Sequence, residues 1–227
     1  MPKERIEMIL ADVERPGVDK LRSFLLSDSD FLTAPASIKN HLASPGGLVK
    51  HTLNVYDILM RINGAYNIPF SDEVIAIVAI GHDLCKVGCY KESNLLPTTA
   101  QLKYLTSLML KVGLSVPEKL NKAYAGKLID FMLNEYKDDK RIPKYVYEYQ
   151  YIDWVPLGHG EKSLYVLQQF IKVDVVEATA IRWHMGAFDL NVNSVYQRLP
   201  YQNAVDIYPL VTMIQLADAE ASHLLER

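Results

Sequence analysis

The sequence predicts an all-α fold with one small β-hairpin near residues 144–155. Apolar residues recur at helical spacing between residues 48 and 62, which indicates an amphipathic helix. Residues 74–80 are apolar on every side, and residues 203–225 form a strongly apolar closing segment. The stretch 144–155 differs, because aromatic and β-branched side chains alternate there with polar ones. That pattern is typical of a strand or a small hairpin.

Residues 1–40 are expected to form a lead-in to the main fold. A short amphipathic helix is predicted in it from apolar residues at helical spacing, namely Val18, Leu21, Leu25 and Leu26. A loop over 33–37 and a turn over 44–47 should follow. The next helix is expected to start at Leu48 and to end near Gly64.

The apolar run 74–80 fits either a buried strand or a buried helix by its pattern alone. Ser71 is a favourable N-cap residue. Asp72 and Glu73 would place negative charge in the first helical turn, where the helix dipole favours it. A buried helix is therefore predicted.

The second half of the chain is patterned less sharply. In residues 95–140 one helix is expected, from Pro117 to about Glu135. Residues 95–155 are interpreted as an insertion that could act as a lid over a substrate. Three further helices are predicted, over residues 161–171, 173–184 and 203–225.

The composition is that of an ordinary globular chain of 227 residues, for which one domain over 1–227 is expected. The net charge is -3, and no block of five or more Lys and Arg occurs, which argues against avid, unspecific nucleic-acid binding. Cys85 and Cys89 are expected to be reduced thiols. The longest apolar run is too short to span a membrane, so a cytoplasmic protein is expected.

Two acidic positions lie in apolar surroundings. His82 and Asp83 adjoin the end of the apolar run 74–80, and Asp218 lies in the apolar segment 211–219. A buried carboxylate is costly unless it is paired. An imidazole beside a carboxylate suits a divalent cation, although Asp218 alone could equally lie on a polar helix face.

The order of these residues resembles the HD superfamily of metal-dependent phosphohydrolases. His51 lies in GGLVKHT (residues 46–52), and His82-Asp83 follows 31 residues later in GHDLCKVG (residues 81–88), with Asp218 far downstream. The resemblance covers roughly residues 40–225. It implies an HD-type helical bundle that brings four ligands to one divalent metal ion, namely His51, His82, Asp83 and Asp218.

The resemblance also extends to a second metal ion. Two-metal members of the superfamily add histidines in Gly-His and His-His-Gly contexts, which here correspond to His159 in PLGHGEK (156–162) and His184 in AIRWHMG (180–186). This chain has Trp183-His184-Met185 where the family has His-His-Gly. One ligand of a two-metal site is therefore missing or replaced. The sequence leaves open whether the site holds one ion or two. Mn, Fe, Co, Ni and Mg all tolerate such ligands.

The resemblance assigns catalytic roles to two residues. Asp83 would ligate the metal and orient the attacking water, and Lys86 would hold a phosphate oxygen as a point charge. Arg182 could clamp phosphate through two hydrogen bonds, with a surface ion pair as the alternative. His41 could line the pocket as an acid or a substrate contact. The expected substrate is a nucleotide or another small phosphate ester.

Three alternatives stay open at this point. Some HD enzymes with a similar Gly-Gly-Leu and His-Thr segment are 3′–5′ exoribonucleases, although the missing basic stripe argues against that activity here. A non-catalytic sensor of metal and nucleotide is the second alternative, and an oxygenase with two irons is the third. Tyrosines in 144–151 could stack on a nucleobase. The sequence leaves open whether the chain forms homo-oligomers.

Overall fold

Helices dominate the computed structural model, which describes residues 1–38, 40–66, 70–93, 95–190 and 194–226, without the side chains of Tyr66 and Gln197. Together with a two-stranded sheet, they confirm the predicted all-α fold with one small β element. By its internal contacts the chain divides into two compact units. The first comprises Met1–Tyr90 and Ile152–Arg227, and the second comprises Lys91–Tyr151.

The first unit contains eight of the helices in the part of the chain that the structure describes. These are α1 (Pro2–Ala11), α2 (Val18–Ser23), α3 (Gly47–Tyr66), α4 (Asp72–Gly81), α7 (His159–Leu167), α8 (Val175–Trp183), α9 (Val195–Ile207) and α10 (Pro209–Glu220). Short helical turns continue several of them, over Phe24–Asp28, Leu84–Lys86, Gly186–Asp189 and Ala221–Leu225.

Helix α4 is the centre of the core of the first unit. Every residue from Ile75 to Gly81 is buried, and α4 packs against α3, α7 and α8. Burying one large aliphatic side chain such as Ile77 contributes about 1.5–3 kcal/mol, so this segment stabilises the unit strongly. The Ser71 hydroxyl accepts a hydrogen bond from the Val74 amide at 3.3 Å, which confirms the predicted N-cap and the helical interpretation.

The predicted closing helix over 203–225 is wrong in one respect. Helix α9 ends at Ile207, and α10 starts at Pro209. Tyr208 between them is extended, with φ -119° and ψ 96°, because the proline ring disfavours helical backbone in the preceding residue. Helix α10 packs against α3 and α8, which brings the C-terminal helix to the centre of the unit.

The second unit contains α5 (Thr99–Leu110) and α6 (Lys122–Asn134), which pack through a small apolar cluster of Leu105, Met109, Tyr124, Ala125 and Leu128. Helix α6 begins at Lys122, later than the predicted start at Pro117, because the Asn121 side chain caps it. Strand β2 (Tyr149–Tyr151) lies within the predicted strand region, and its partner is β1 (Tyr90–Glu92).

Across the residues described, we find no helix that combines the length and the apolar character needed to cross a membrane.

Candidate metal centre

The side chains predicted as metal ligands come together in the first unit from five separate helices. His51 lies on α3, His82 and Asp83 follow the last turn of α4, and Asp218 lies on α10. The two further histidines are His159, the first residue of α7, and His184, directly after α8. His51, His82, Asp83 and His184 are buried, whereas His159 and Asp218 are partly exposed.

Asp83 lies between two sets of histidines. Its Oδ2 is 3.4 Å from Nε2 of His51 and 3.5 Å from Nε2 of His82. Its Oδ1 is 2.8 Å from Nε2 of His159 and 3.8 Å from Nε2 of His184. The ligand atoms of each set lie within 4.8 Å of one another. Each oxygen of one carboxylate therefore faces its own group of nitrogen donors.

Asp218 contacts the set around His51 through His51 itself. Its Oδ1 is 3.2 Å from Nε2 of His51, and the hydroxyl of Ser222 donates a hydrogen bond to the same oxygen at 3.1 Å. The four residues that the sequence predicts as the first metal site are therefore neighbours in space. Asp218 and Asp83 both contact Nε2 of His51.

Two of the histidines are held through their Nδ1 atoms, which leaves Nε2 directed at the other ligands. Nδ1 of His82 lies 2.7 Å from the Ala79 carbonyl oxygen, and Nδ1 of His184 lies 2.7 Å from the Ile181 carbonyl oxygen. A carbonyl only accepts hydrogen bonds, so each Nδ1 carries a proton and each Nε2 faces the Asp83 carboxylate. Nε2 of His184 is buried and has no hydrogen-bond partner among the described residues.

A buried, unpaired nitrogen costs free energy unless something binds it. A metal ion would satisfy Nε2 of His184, and the donor set of imidazoles and carboxylates is one that divalent metals accept. The buried cluster of His51, His82, Asp83, His159 and His184 could thus hold a metal ion. The donor atoms of these five residues fit a divalent metal ion, as the sequence predicts.

The histidines of the cluster differ in charge. Burial, reinforced by the nearby His82 and His159, lowers the pKa of His184 to about 3. Burial also acts to lower the pKa of His51, but hydrogen bonds to Asp218 and Glu226 outweigh it and raise that pKa to about 9. For His159, contacts with Cys85 and Asp83 outweigh burial and raise the pKa to about 10.

Lys86 lies beside the shared carboxylate. Its Nζ is 2.5 Å from Oδ2 of Asp83. Burial acts to raise the pKa of Asp83, but the charges of Lys86 and His82 outweigh it and hold that pKa well below the ordinary value. Burial likewise acts to lower the pKa of Lys86, and the charge of Asp83 raises it instead. Both side chains are charged at neutral pH in the absence of metal.

A cavity of about 1210 Å³ opens onto this cluster. Asp83, Lys86, His159, His184 and Asp218 all line it. Apolar and aromatic residues of its wall include Ala36, Ile38, Met185, Ala187, Phe188 and Tyr201, and polar residues include Asn40, His41, Gln215, His223 and Glu226. The volume exceeds the usual range for small-molecule sites, which is about 300–1,000 Å³. The cavity therefore combines the charged cluster with a group of apolar side chains.

The two remaining predicted substrate contacts lie in different surroundings. His41 lines the cavity, and its ring centroid is 5.1 Å from that of His51. Arg182 is absent from the described lining of the cavity. Its guanidinium forms ion pairs with Glu161 at 2.5 Å and Asp189 at 3.0 Å. Arg182 is therefore engaged in ion pairs, and its role as a phosphate clamp stays a prediction.

Besides Ser222, sequence analysis missed two residues that contact the predicted ligands. Glu226 is buried and contacts Nδ1 of His51 at 3.0 Å. The thiol of Cys85 lies 3.3 Å from Nε2 of His159. Cys85 lies inside the predicted motif GHDLCKVG, and this position could have drawn attention to it. Nothing in the local sequence around Glu226 identifies it as a contact of His51.

No protein-family model matches the chain, and no solved structure matches it. The resemblance to the HD superfamily stays a prediction from the sequence motifs.

Proposed function

We propose that this protein is a metal-dependent phosphohydrolase that binds two divalent ions, with Asp83 as a ligand to both. The observation that carries the proposal is the position of the Asp83 carboxylate. Oδ2 faces His51 and His82, and Oδ1 faces His159 and His184. A carboxylate shared between two sets of nitrogen donors is suited to a pair of adjacent ions, as in many phosphoester-cleaving sites.

The donor set narrows the choice of metal. Imidazole nitrogens suit Fe, Ni, Co and other transition metals, whereas Mg²⁺ prefers a shell of oxygen atoms. The two sets contain four histidines, joined by Asp83 and Asp218. Among the ions expected from the sequence, Fe, Co and Ni are therefore favoured over Mg and Mn, which both prefer oxygen ligands.

Each residue near the cluster has a distinct task in this proposal. A bound divalent ion supplies Lewis acidity and lowers the pKa of a water molecule. The Asp83 carboxylate accepts a hydrogen bond from the attacking water and orients it. The ammonium of Lys86, a residue that contacts Asp83 and lines the cavity, donates a hydrogen bond to a phosphate oxygen. His41, which packs beside His51 and lines the cavity, contacts the substrate.

The cavity wall supports a substrate with an apolar part. Phe188 is 90% exposed although it is a large aromatic residue, and it lines the cavity together with Met185 and Ile38. Exposed apolar surface beside a polar site commonly marks a ligand-binding surface. We infer a small phosphate ester whose phosphate reaches Lys86 and whose organic part packs on this wall. A nucleotide is one member of that class.

The test is a screen of phosphate monoesters and diesters with protein reconstituted with Mn²⁺, Fe²⁺, Co²⁺ or Ni²⁺. His82→Ala, measured alongside, controls for contaminating phosphatases. We expect phosphate release that depends on metal and disappears in His82→Ala, while the circular dichroism of the variant stays helical. Equal activity in His82→Ala would sink the proposal. Oxygen uptake with iron-loaded protein and no phosphate release would instead support the two-iron oxygenase.

A further inference from the structure

The imidazole of His51 is contacted on both of its nitrogens by acidic side chains. Nε2 faces the metal ligands, at 3.4 Å from Asp83 and 3.2 Å from Asp218. Nδ1 faces away from them, at 3.0 Å and 3.2 Å from the two carboxylate oxygens of Glu226. The ring is therefore fixed in the orientation that a metal ligand requires, and Glu226 is the group that fixes it.

Glu226 is itself held in place. Its side chain is fully buried, and the Asn54 side-chain amide donates a hydrogen bond to Oε1 at 2.8 Å. Asn54 lies on α3, three residues after His51, so both residues face the same carboxylate from one side of the helix. Burial costs a carboxylate several kcal/mol unless it is paired and hydrogen-bonded, and these two contacts meet that requirement.

The other two buried histidines of the cluster are oriented differently. Carbonyl oxygens within their own helices accept from Nδ1 of His82 and His184. His51 alone among the three has an ionised side chain at Nδ1. A carboxylate at the far nitrogen makes the imidazole a stronger electron donor than a neutral carbonyl does, and it also fixes the tautomer.

We propose that Glu226 is a positioning residue that holds the Nδ1 proton of His51 and thereby raises the affinity of His51 for the metal. The inference rests on the proposed metal site, but not on the identity of the substrate. Metal affinity can be measured without any hydrolysis, so a failure of this inference is distinguishable from a failure of the proposed phosphohydrolase activity.

One other role for Glu226 is geometrically open. His41, His51 and Glu226 form a third set of possible ligands, so Glu226 could bind an ion directly. Two observations favour positioning instead. Both carboxylate oxygens already accept hydrogen bonds from His51 or Asn54, and a metal at this place would compete with the Nδ1 proton of His51.

The experiment is a titration of metal-free protein with Co²⁺, followed by its visible absorption, for wild type, Glu226→Gln and Glu226→Ala. Glutamine keeps an oxygen that can accept from His51 and Asn54 but loses the charge. We expect the affinity to fall about 10–100-fold in Glu226→Ala and by a smaller factor in Glu226→Gln, with an altered Co²⁺ spectrum and the wild-type number of ions.

The matched control is Glu220→Gln. Glu220 lies at the end of α10 and pairs with Arg61 at the surface. The Glu220→Gln variant should therefore bind Co²⁺ with wild-type affinity. His41→Ala should also bind the wild-type number of ions. Wild-type affinity and spectrum in both Glu226 variants would overturn the inference. The loss of one ion in Glu226→Gln and in His41→Ala would also overturn it, because Glu226 would then be a ligand.

Discussion

Oδ1 of Asp83 lies 2.8 Å from Nε2 of His159, although 76 residues separate the two in the chain. The contact depends on where α7 begins, because His159 is its first residue. A hydrogen bond from the Cys85 amide to the Ser163 hydroxyl, at 3.1 Å, holds α7 against the turn that carries Asp83. The second set of ligands thus depends on the packing of one short helix.

Gly160 allows α7 to approach α8 closely enough for that contact. A Cβ atom at this position would lie 2.1 Å from the carbonyl oxygen of Arg182. We predict that Gly160→Ala lowers the free energy of unfolding by about 1–3 kcal/mol and weakens metal binding, because α7 must shift and carry His159 with it. Thermal unfolding and Co²⁺ titration would measure the two effects.

Gly126→Ala is the control for this substitution. Gly126 lies inside α6, and the nearest atom to an added Cβ is Nε2 of Gln101 at 4.0 Å. Alanine there should stabilise the protein by about 0.5–1 kcal/mol and leave metal binding unchanged. Equal behaviour of the two variants would contradict the role given to Gly160.

Metal binding should release protons. In the metal-free protein the pKa values of His51 and His159 are raised, to about 9 and about 10, so both imidazoles carry an extra proton at pH 7. A metal ligand must be neutral at Nε2. We therefore predict that affinity increases as the pH rises from 7 towards 9, and that close to two protons leave on binding at pH 7.

Calorimetric titration in two buffers with different ionisation enthalpies counts these protons. His184→Ala is a useful comparison, because the pKa of His184 is lowered to about 3 and its imidazole has no extra proton to lose. That variant should bind metal more weakly. The set around His51 stays intact in it, and this set should release as many protons as it does in wild type. No difference between the two buffers would show that His51 and His159 are already neutral.

Lys86 should act on the substrate rather than on the fold. At saturating metal we predict that Lys86→Ala raises KM for a phosphate ester by about tenfold or more, the effect of losing one charge-assisted hydrogen bond. The exposed Lys20 on α2 provides the control, since Lys20→Ala removes the same charge outside the described lining of the cavity. An unchanged KM and rate in Lys86→Ala would show that Lys86 does not contact the substrate and acts only as an ion-pair partner of Asp83.

Phe188 should distinguish substrates by their organic part. We predict that Phe188→Ala raises KM for phenyl phosphate about tenfold, in line with the loss of roughly 1.5–3 kcal/mol of apolar contact, and leaves KM for methyl phosphate unchanged. Tyr196, which is 92% exposed and lies outside the described cavity lining, is the control aromatic. Equal effects of Phe188→Ala on both esters would show that the organic part of the substrate does not pack on Phe188.

Local signals in the sequence explain which elements could be predicted. Ser71 and the apolar run after it identified α4, because cap and burial act within one helix. Helix α5 was missed although Thr98 and Gln101 form a capping box, since its apolar periodicity is weak. The break before Pro209 was missed because apolar residues continue on both sides of it.

The same division applies to the site. His51, His82, Asp83 and Asp218 could be selected from their motifs and spacing. The role of Glu226 could not, because it exists only through a contact with His51 that lies 175 residues away in the chain. The surroundings of Arg182 were equally hidden, since Glu161 lies on α7, a different helix.

The most direct test of the account is the metal content of purified protein, measured by mass spectrometry after incubation with Mn²⁺ or Fe²⁺, for wild type, His184→Ala and Asp83→Asn. Because Asp83 contacts both sets of histidines, we predict two ions per chain in wild type, one in His184→Ala and none in Asp83→Asn. A wild-type protein without metal, or an Asp83→Asn variant that keeps the wild-type content, would contradict it.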